Sequence, residues 1–275
     1  MHTKSYFSRT VGRQTARLLA GLYDRSKSTF TLADVRSITG LSTGIAAGLV
    51  NKAVQRGLFS RLKGGLYMVV PPDAGAGYAG NPLLVARDLA GDAPGFVSHA
   101  SAMEVHRLVT QPQFVVYYSS ARRIRGRTVQ GVDYRFVSVK PGQLFGAGRH
   151  WVTKQEHVAI SDLERTILDG LRQPEYCGGI AEVAKGLWMR HDDVSIPKLV
   201  DYALRLGIGA VTRRLGYLLE LYELGVQASI DELRTTLSAT YVPLDPTLPR
   251  HGQHQSRWRV QANIGADELL ALRSS

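Results

Sequence analysis

Read for apolar and polar positions alone, the first seventy residues show three helix-period stripes followed by two short strand-like runs. Leu18, Leu19 and Leu22 recur at three- and four-residue spacing, which predicts a helix over 10–24. Phe30 precedes Thr31, a residue type that caps helix starts, and Asp34 follows three positions on, as in a capping box with Asp for the usual Glu or Gln. The second predicted helix, 32–39, ends at Gly40, the residue that best tolerates a left-handed C-cap. Ser42 is placed to cap a third helix running to Arg56, and Gly57 stops it. Its expected inner stripe is Ile45, Leu49 and Ala53, with Thr43, Ala47, Asn51 and Gln55 facing away. Two apolar runs then flank Gly64-Gly65, a hairpin signal in which both glycines are expected at positive φ. Helix, helix, short glycine turn, helix, hairpin is the order of a winged helix-turn-helix, expected over 1–75.

Residues 71–81 (PPDAGAGYAGN) are rich in Pro and Gly, and 76–81 is taken as a linker. Gly75, Gly77 and Gly80 match the spacing of a dinucleotide-binding loop. That loop works only where a parallel strand turns directly into a helix, and here Pro71-Pro72 intervenes after a hairpin strand. The remainder, 82–275, mixes strands, expected at 114–118, 131–139, 151–160 and 257–264, with helices at 83–90, 162–171, 180–189, 196–206 and 213–224. Residues 243–254 are expected to be irregular. The fold class is therefore α+β: an N-terminal winged helix-turn-helix followed by a larger mixed α+β domain over 82–275.

Charge sharpens this picture. The 275 residues carry a net +11. Residues 1–75 hold 11 Lys and Arg against 3 Asp and Glu, whereas the other 200 hold 23 against 20. An excess concentrated in one module is the footprint of phosphate neutralisation, and so of double-stranded DNA as a partner. The expected DNA-facing residues are Arg36, Ser42, Thr43, Asn51, Lys52 and Arg56 from the helices, with Arg61 and Lys63 beside the wing tip. Asn51 has two readings: a bidentate grip on adenine, or an exposed helix residue facing water. A further run of arginines, Arg122, Arg123, Arg125 and Arg127, follows the first predicted strand of the second part.

Candidate chemistry removes more than it adds. The single cysteine, Cys177, excludes an internal disulfide and reads as a buried small hydrophobe. No Gly-Lys pair makes a phosphate loop, no two Asp lie two apart, and no lysine follows an acid by two positions as in common nucleases. There is no G-x-S-x-G elbow. His99, Glu104 and His106 match no metal spacing, and His251 and His254 read as solvated. Asp162, Glu164 and Asp169 read as acids favouring a helix N-terminus. The expectation is no enzyme, no cofactor and no metal. Without an apolar stretch of signal-peptide or membrane-spanning length, a cytoplasmic protein is expected.

The chain resembles the AbiEi family of antitoxins, regulatory partners of nucleotidyltransferase toxins in type IV toxin–antitoxin systems. The resemblance rests on the N-terminal winged helix, on Phe96-Val-Ser-His-Ala-Ser-Ala-Met-Glu-Val-His106, on Val158-Ala-Ile-Ser-Asp-Leu-Glu-Arg-Thr-Ile-Leu-Asp169, and on Arg213-Arg-Leu-Gly-Tyr-Leu-Leu-Glu220. It implies a protein that binds repeats in its own promoter, represses transcription, and counteracts the toxin through its C-terminal domain, with or without a stable complex. It also implies antitoxin roles for Ser98, His99, Arg213 and Arg214. Arg213 and Arg214 are expected in an exposed first helical turn, where they grip a partner or merely solvate the helix start. A nuclease delivered by a basic N-domain and a general transcriptional regulator are the alternatives.

Overall fold

The computed structural model describes residues 11–74, 78–109, 114–225 and 227–274. They divide into two compact units. The first takes in 1–91 with Thr128–Val132 and Trp151–His157, and the second Asp92–Arg127, Asp133–His150 and Val158–Ser275.

In the first unit, α1 (Arg13–Asp24), β1 (Thr29–Thr31), α2 (Leu32–Thr39), α3 (Thr43–Gln55), β2 (Phe59–Lys63), β3 (Leu66–Val69) and α4 (Pro82–Ala90) follow in order. Local chemistry sets the helix ends. The Thr31 hydroxyl accepts from the Asp34 N–H while the Asp34 carboxylate accepts from the Thr31 N–H, and Gly40 closes α2 at φ +76. Gly21 lets α1 and α2 meet, since a Cβ there would lie 2.5 Å from Ile38. Leu18, Leu22, Phe30, Val35, Val50, Phe59 and Tyr67 form one core, with Phe30 edge-on to Phe59 at 4.7 Å. The strands order as β1-β3-β2, all antiparallel. This is a winged helix-turn-helix. In the Gly64-Gly65 turn only Gly65 is left-handed, at φ +77, and a register shift between Arg61 and Lys63 absorbs the difference from the expected turn. Asn81 caps α4 by accepting from the Leu83 and Leu84 N–H groups. The division falls after Gly91 and not at 76–81, because α4 folds with the wing: Thr29 donates to Asp88, and Lys63 to the Leu89 carbonyl. Gly75 and Gly77 lie outside the described residues.

Further along the chain come β4 (Gly95–Val97), α5 (His99–Val105), β5 (Val115–Ser120), β6 (Arg127–Val129), β7 (Val132–Ser138), β8 (Ala147–Trp151), β9 (His157–Ser161) and α6 (Leu163–Arg172), of which β6 falls mostly in the first unit and the others mainly or wholly in the second. There follow α7 (Ile180–Met189), α8 (Ile196–Leu206), α9 (Gly209–Leu221), α10 (Gln227–Thr235), β10 (Val242–Pro243), β11 (Gln253–Gln255), β12 (Val260–Ala262) and α11 (Ala266–Ala271). The sheet order is β6-β7-β5-β4-β9-β8, with β5–β7 and β4–β9 parallel and β4–β5 antiparallel. The strand expected over 151–160 is two strands: the Val152 and Thr153 N–H groups turn back onto the Glu156 carbonyl. The region 243–254, expected irregular, contributes β11 to a small sheet ordered β10-β12-β11. The helices pack around Leu168, Leu187, Leu199, Leu215 and Leu218. Trp258 lies flat against α9 at Gly216, where any Cβ would come within 2.0 Å of the ring.

No helix of the described residues is long and apolar enough to cross a membrane.

Candidate nucleic-acid interface

The turn between α2 and α3 is three residues, Gly40 to Ser42. The Thr39 hydroxyl, donating to the Val35 carbonyl, accepts from the Leu41 N–H and so steers the chain out of α2. α3 buries Ala46, Val50 and Ala53. The expected stripe of Ile45, Leu49 and Ala53 is therefore rotated: Ile45 stands 61% exposed and Leu49 flanks the core. The reason is size. Alanine at 46 and 53 lets α3 approach its neighbours closely, which a larger side chain at those positions would prevent. The i, i+4, i+8 spacing by itself places the isoleucine inside.

The outward face carries Thr43, Gly44, Ile45, Asn51, Lys52, Gln55 and Arg56, all exposed, and Arg36 stands exposed on α2. Ser42 occupies the N-cap of α3, but its hydroxyl makes no capping bond. It leaves the first-turn N–H groups of α3 without a side-chain partner from that residue. Gly44 and Gly48 have no steric duty, since a Cβ at either meets nothing within 4 Å. Two of the expected residues are brought together: the Arg61 guanidinium donates to the Asn51 side-chain oxygen at 2.5 Å and lies 5.6 Å from the Tyr67 ring. The wing strand is thereby tied to the outward face of α3. An Asn51 grip on adenine has to share that oxygen with Arg61. Lys63 is turned away from such a role, half-buried and donating to the Leu89 carbonyl at 2.8 Å. At the base of α2, burial alone would raise the Asp34 carboxyl, but hydrogen bonds from Lys27 and Thr31 outweigh it and hold its pKa below the ordinary value.

Four further expected residues lie in the second unit, and none is at its surface. Ser98 and His99 are fully buried. The Ser119 hydroxyl donates to Ser98 Oγ, which lies 2.8 Å from His99 Nδ1, and the His99 ring packs on Tyr176 at 5.4 Å. His99 holds φ +52, and burial pushes its pKa below the usual 6.5. Arg213 and Arg214 are 3% and 4% exposed. Arg213 donates to the carbonyls of Gly209, Ser238 and Thr240, and Arg214 to those of Leu171 and Pro243. The exposed first turn expected for this pair is corrected: α9 begins at Gly209, one turn earlier, so both arginines fall within it and point into the unit. Asp169 is not at a helix start either. It lies late in α6, fully buried, 3.0 Å from Arg165 Nε. Asp162 does cap α6, accepting from the Arg165 N–H.

Among the described residues no group of three or more His, Cys, Asp or Glu side chains is placed to hold a metal ion. Ile45 joins the outward face of α3, and its exposure is legible only once the phase of that helix is known.

No family model matches the chain, and no curated protein matches it. Among solved structures it is similar to the crystal structure of the RV2827C protein from Mycobacterium tuberculosis. That protein is 15% identical, with 98% of this chain and 97% of that one covered and a TM-score of 0.70. At that identity the likeness is one of fold.

Proposed function

We propose that the chain is a DNA-binding regulator that seats α3 in the major groove and represses its own operon, and that it is the antitoxin of a nucleotidyltransferase-type toxin. The observation that carries the DNA-binding reading is the outward face of α3. A helix that follows a three-residue turn presents Thr43, Asn51, Lys52 and Arg56 to solvent, with Arg36 exposed on α2 and the wing residue Arg61 reaching Asn51. The concentration of positive charge in residues 1–75 supports it, since phosphate contacts supply most non-specific affinity. The antitoxin part rests on the resemblance to the AbiEi family, and the burial of Ser98, His99, Arg213 and Arg214 gives those residues a supporting role in it, not a contact role.

Fluorescence anisotropy with the full chain tests the reading. The duplex upstream of its own gene should bind at least ten-fold more tightly than a shuffled duplex of equal length. Replacing Arg36, Lys52 and Arg56 with Gln should weaken both duplexes. Equal affinity for the two duplexes would overturn the regulator, and growth unaffected by the chain beside an active neighbouring nucleotidyltransferase would overturn the antitoxin.

A further inference from the structure

The segment joining β5 to β6 reads Ala121-Arg-Arg-Ile-Arg-Gly-Arg127, four arginines in six positions. All four are exposed, and among the described residues none of their guanidinium groups meets a carboxylate, carbonyl or ring. No acid lies within the segment to balance them. The segment is nevertheless pinned. Ile124 is half-buried, the Arg122 N–H donates to the Ser120 hydroxyl, and Gly126 packs so close to β7 that a Cβ would lie 2.9 Å from the Tyr134 carbonyl. The fold thus holds four like charges near one another on a pinned loop, where they repel.

We infer that the Arg122–Arg127 loop is a second binding element, in the second unit, for the phosphates of duplex DNA. Arginine and not lysine fills the positions, and its planar fork matches two phosphate oxygens at once. A protein partner fits the loop less well. Protein interfaces are anchored by aromatic or large apolar side chains, and the loop carries a single such side chain, the half-buried Ile124. The inference rests on the DNA-binding reading above and adds a contact that α3 and the wing do not supply.

The salt dependence of binding by the full chain tests it. Each phosphate neutralised adds about 0.9 to the slope of log affinity against log salt. Replacing Arg122, Arg123, Arg125 and Arg127 with Gln should lower that slope by about 3 to 4, on upstream and shuffled duplexes alike. Between 50 and 200 mM salt the wild type should therefore lose about a hundred-fold more affinity than the variant. Replacement of all four with Lys should keep most of the slope. Because the positions are exposed, thermal unfolding should be unchanged; should the quadruple variant unfold, R122Q/R123Q and R125Q/R127Q should each lower the slope by about half as much. An unchanged slope in a folded variant overturns the inference and leaves α3 as the DNA-binding element. A wild type that binds neither duplex overturns the DNA-binding reading itself, and this inference with it.

Discussion

Replacing Arg214 with Ala should destabilise the second unit strongly. The side chain is 4% exposed and joins three elements. Nη1 donates at 2.6 Å to the carbonyl of Leu171 in the last turn of α6, while Nε and Nη2 donate at 3.3 and 3.2 Å to the carbonyl of Pro243 in β10. The Leu171 carbonyl has no partner further along its own helix, and a cation at that end also meets the negative pole of the helix dipole. Truncation leaves two buried carbonyls unsatisfied at about 1–3 kcal/mol each, so about 3–4 kcal/mol is expected after local relaxation. For a unit of this size that corresponds to a fall in Tm of about 6–16 °C. Arg214→Lys should recover only part of it, because an ammonium cannot span both carbonyls as the guanidinium does. Differential scanning calorimetry of the full chain reads the result. A Tm within about 2 °C of wild type would refute the argument, and with it the assignment of this arginine to the framework of the unit.

In α3, Gly48→Ala should raise the Tm of the first unit by about 4–8 °C, because alanine favours a helix by about 1 kcal/mol and its Cβ meets open space; a lowered Tm would refute this. Ile45→Asp should leave Tm within about 2 °C while weakening binding of the upstream duplex; unchanged binding would remove the exposed face of α3 from the interface. His99 is neutral when buried, so the unfolded chain takes up its proton first as pH falls. The stability it contributes is full above its ordinary pKa of 6.5 and drains away below it, towards the lowered folded value. Tm of the wild type should fall from pH 7.5 to 5.5 more steeply than that of His99→Asn, and equal slopes would refute the role of His99.

What was legible in the sequence was what short-range chemistry decides. The bounds of α2, its capping box and the left-handed Gly40 rest on contacts three or four residues apart, and they stand as read. So do α7 and α8, whose apolar stripes are long enough to fix both ends. What was not legible depended on packing partners distant in the chain. The phase of α3 turned on where alanine fits best, and Arg213 and Arg214 were drawn inside by carbonyls of Leu171, Ser238, Thr240 and Pro243, up to 43 residues away. The turn at 152–156 carries no Gly or Pro, so the pattern of alternation ran straight through it. Of the candidate interface, the identity of the exposed basic residues was readable. The tie between Arg61 and Asn51, and the diversion of Lys63 to α4, were not.

The most direct test of the central claim is amide hydrogen exchange of the full chain with and without the duplex upstream of its gene. Slowed exchange on DNA addition should be strongest in the first two turns of α3, 43–50, with weaker protection in the wing, 59–69. Binding that leaves both segments exchanging as in the free protein would contradict the assignment of α3 to the major groove.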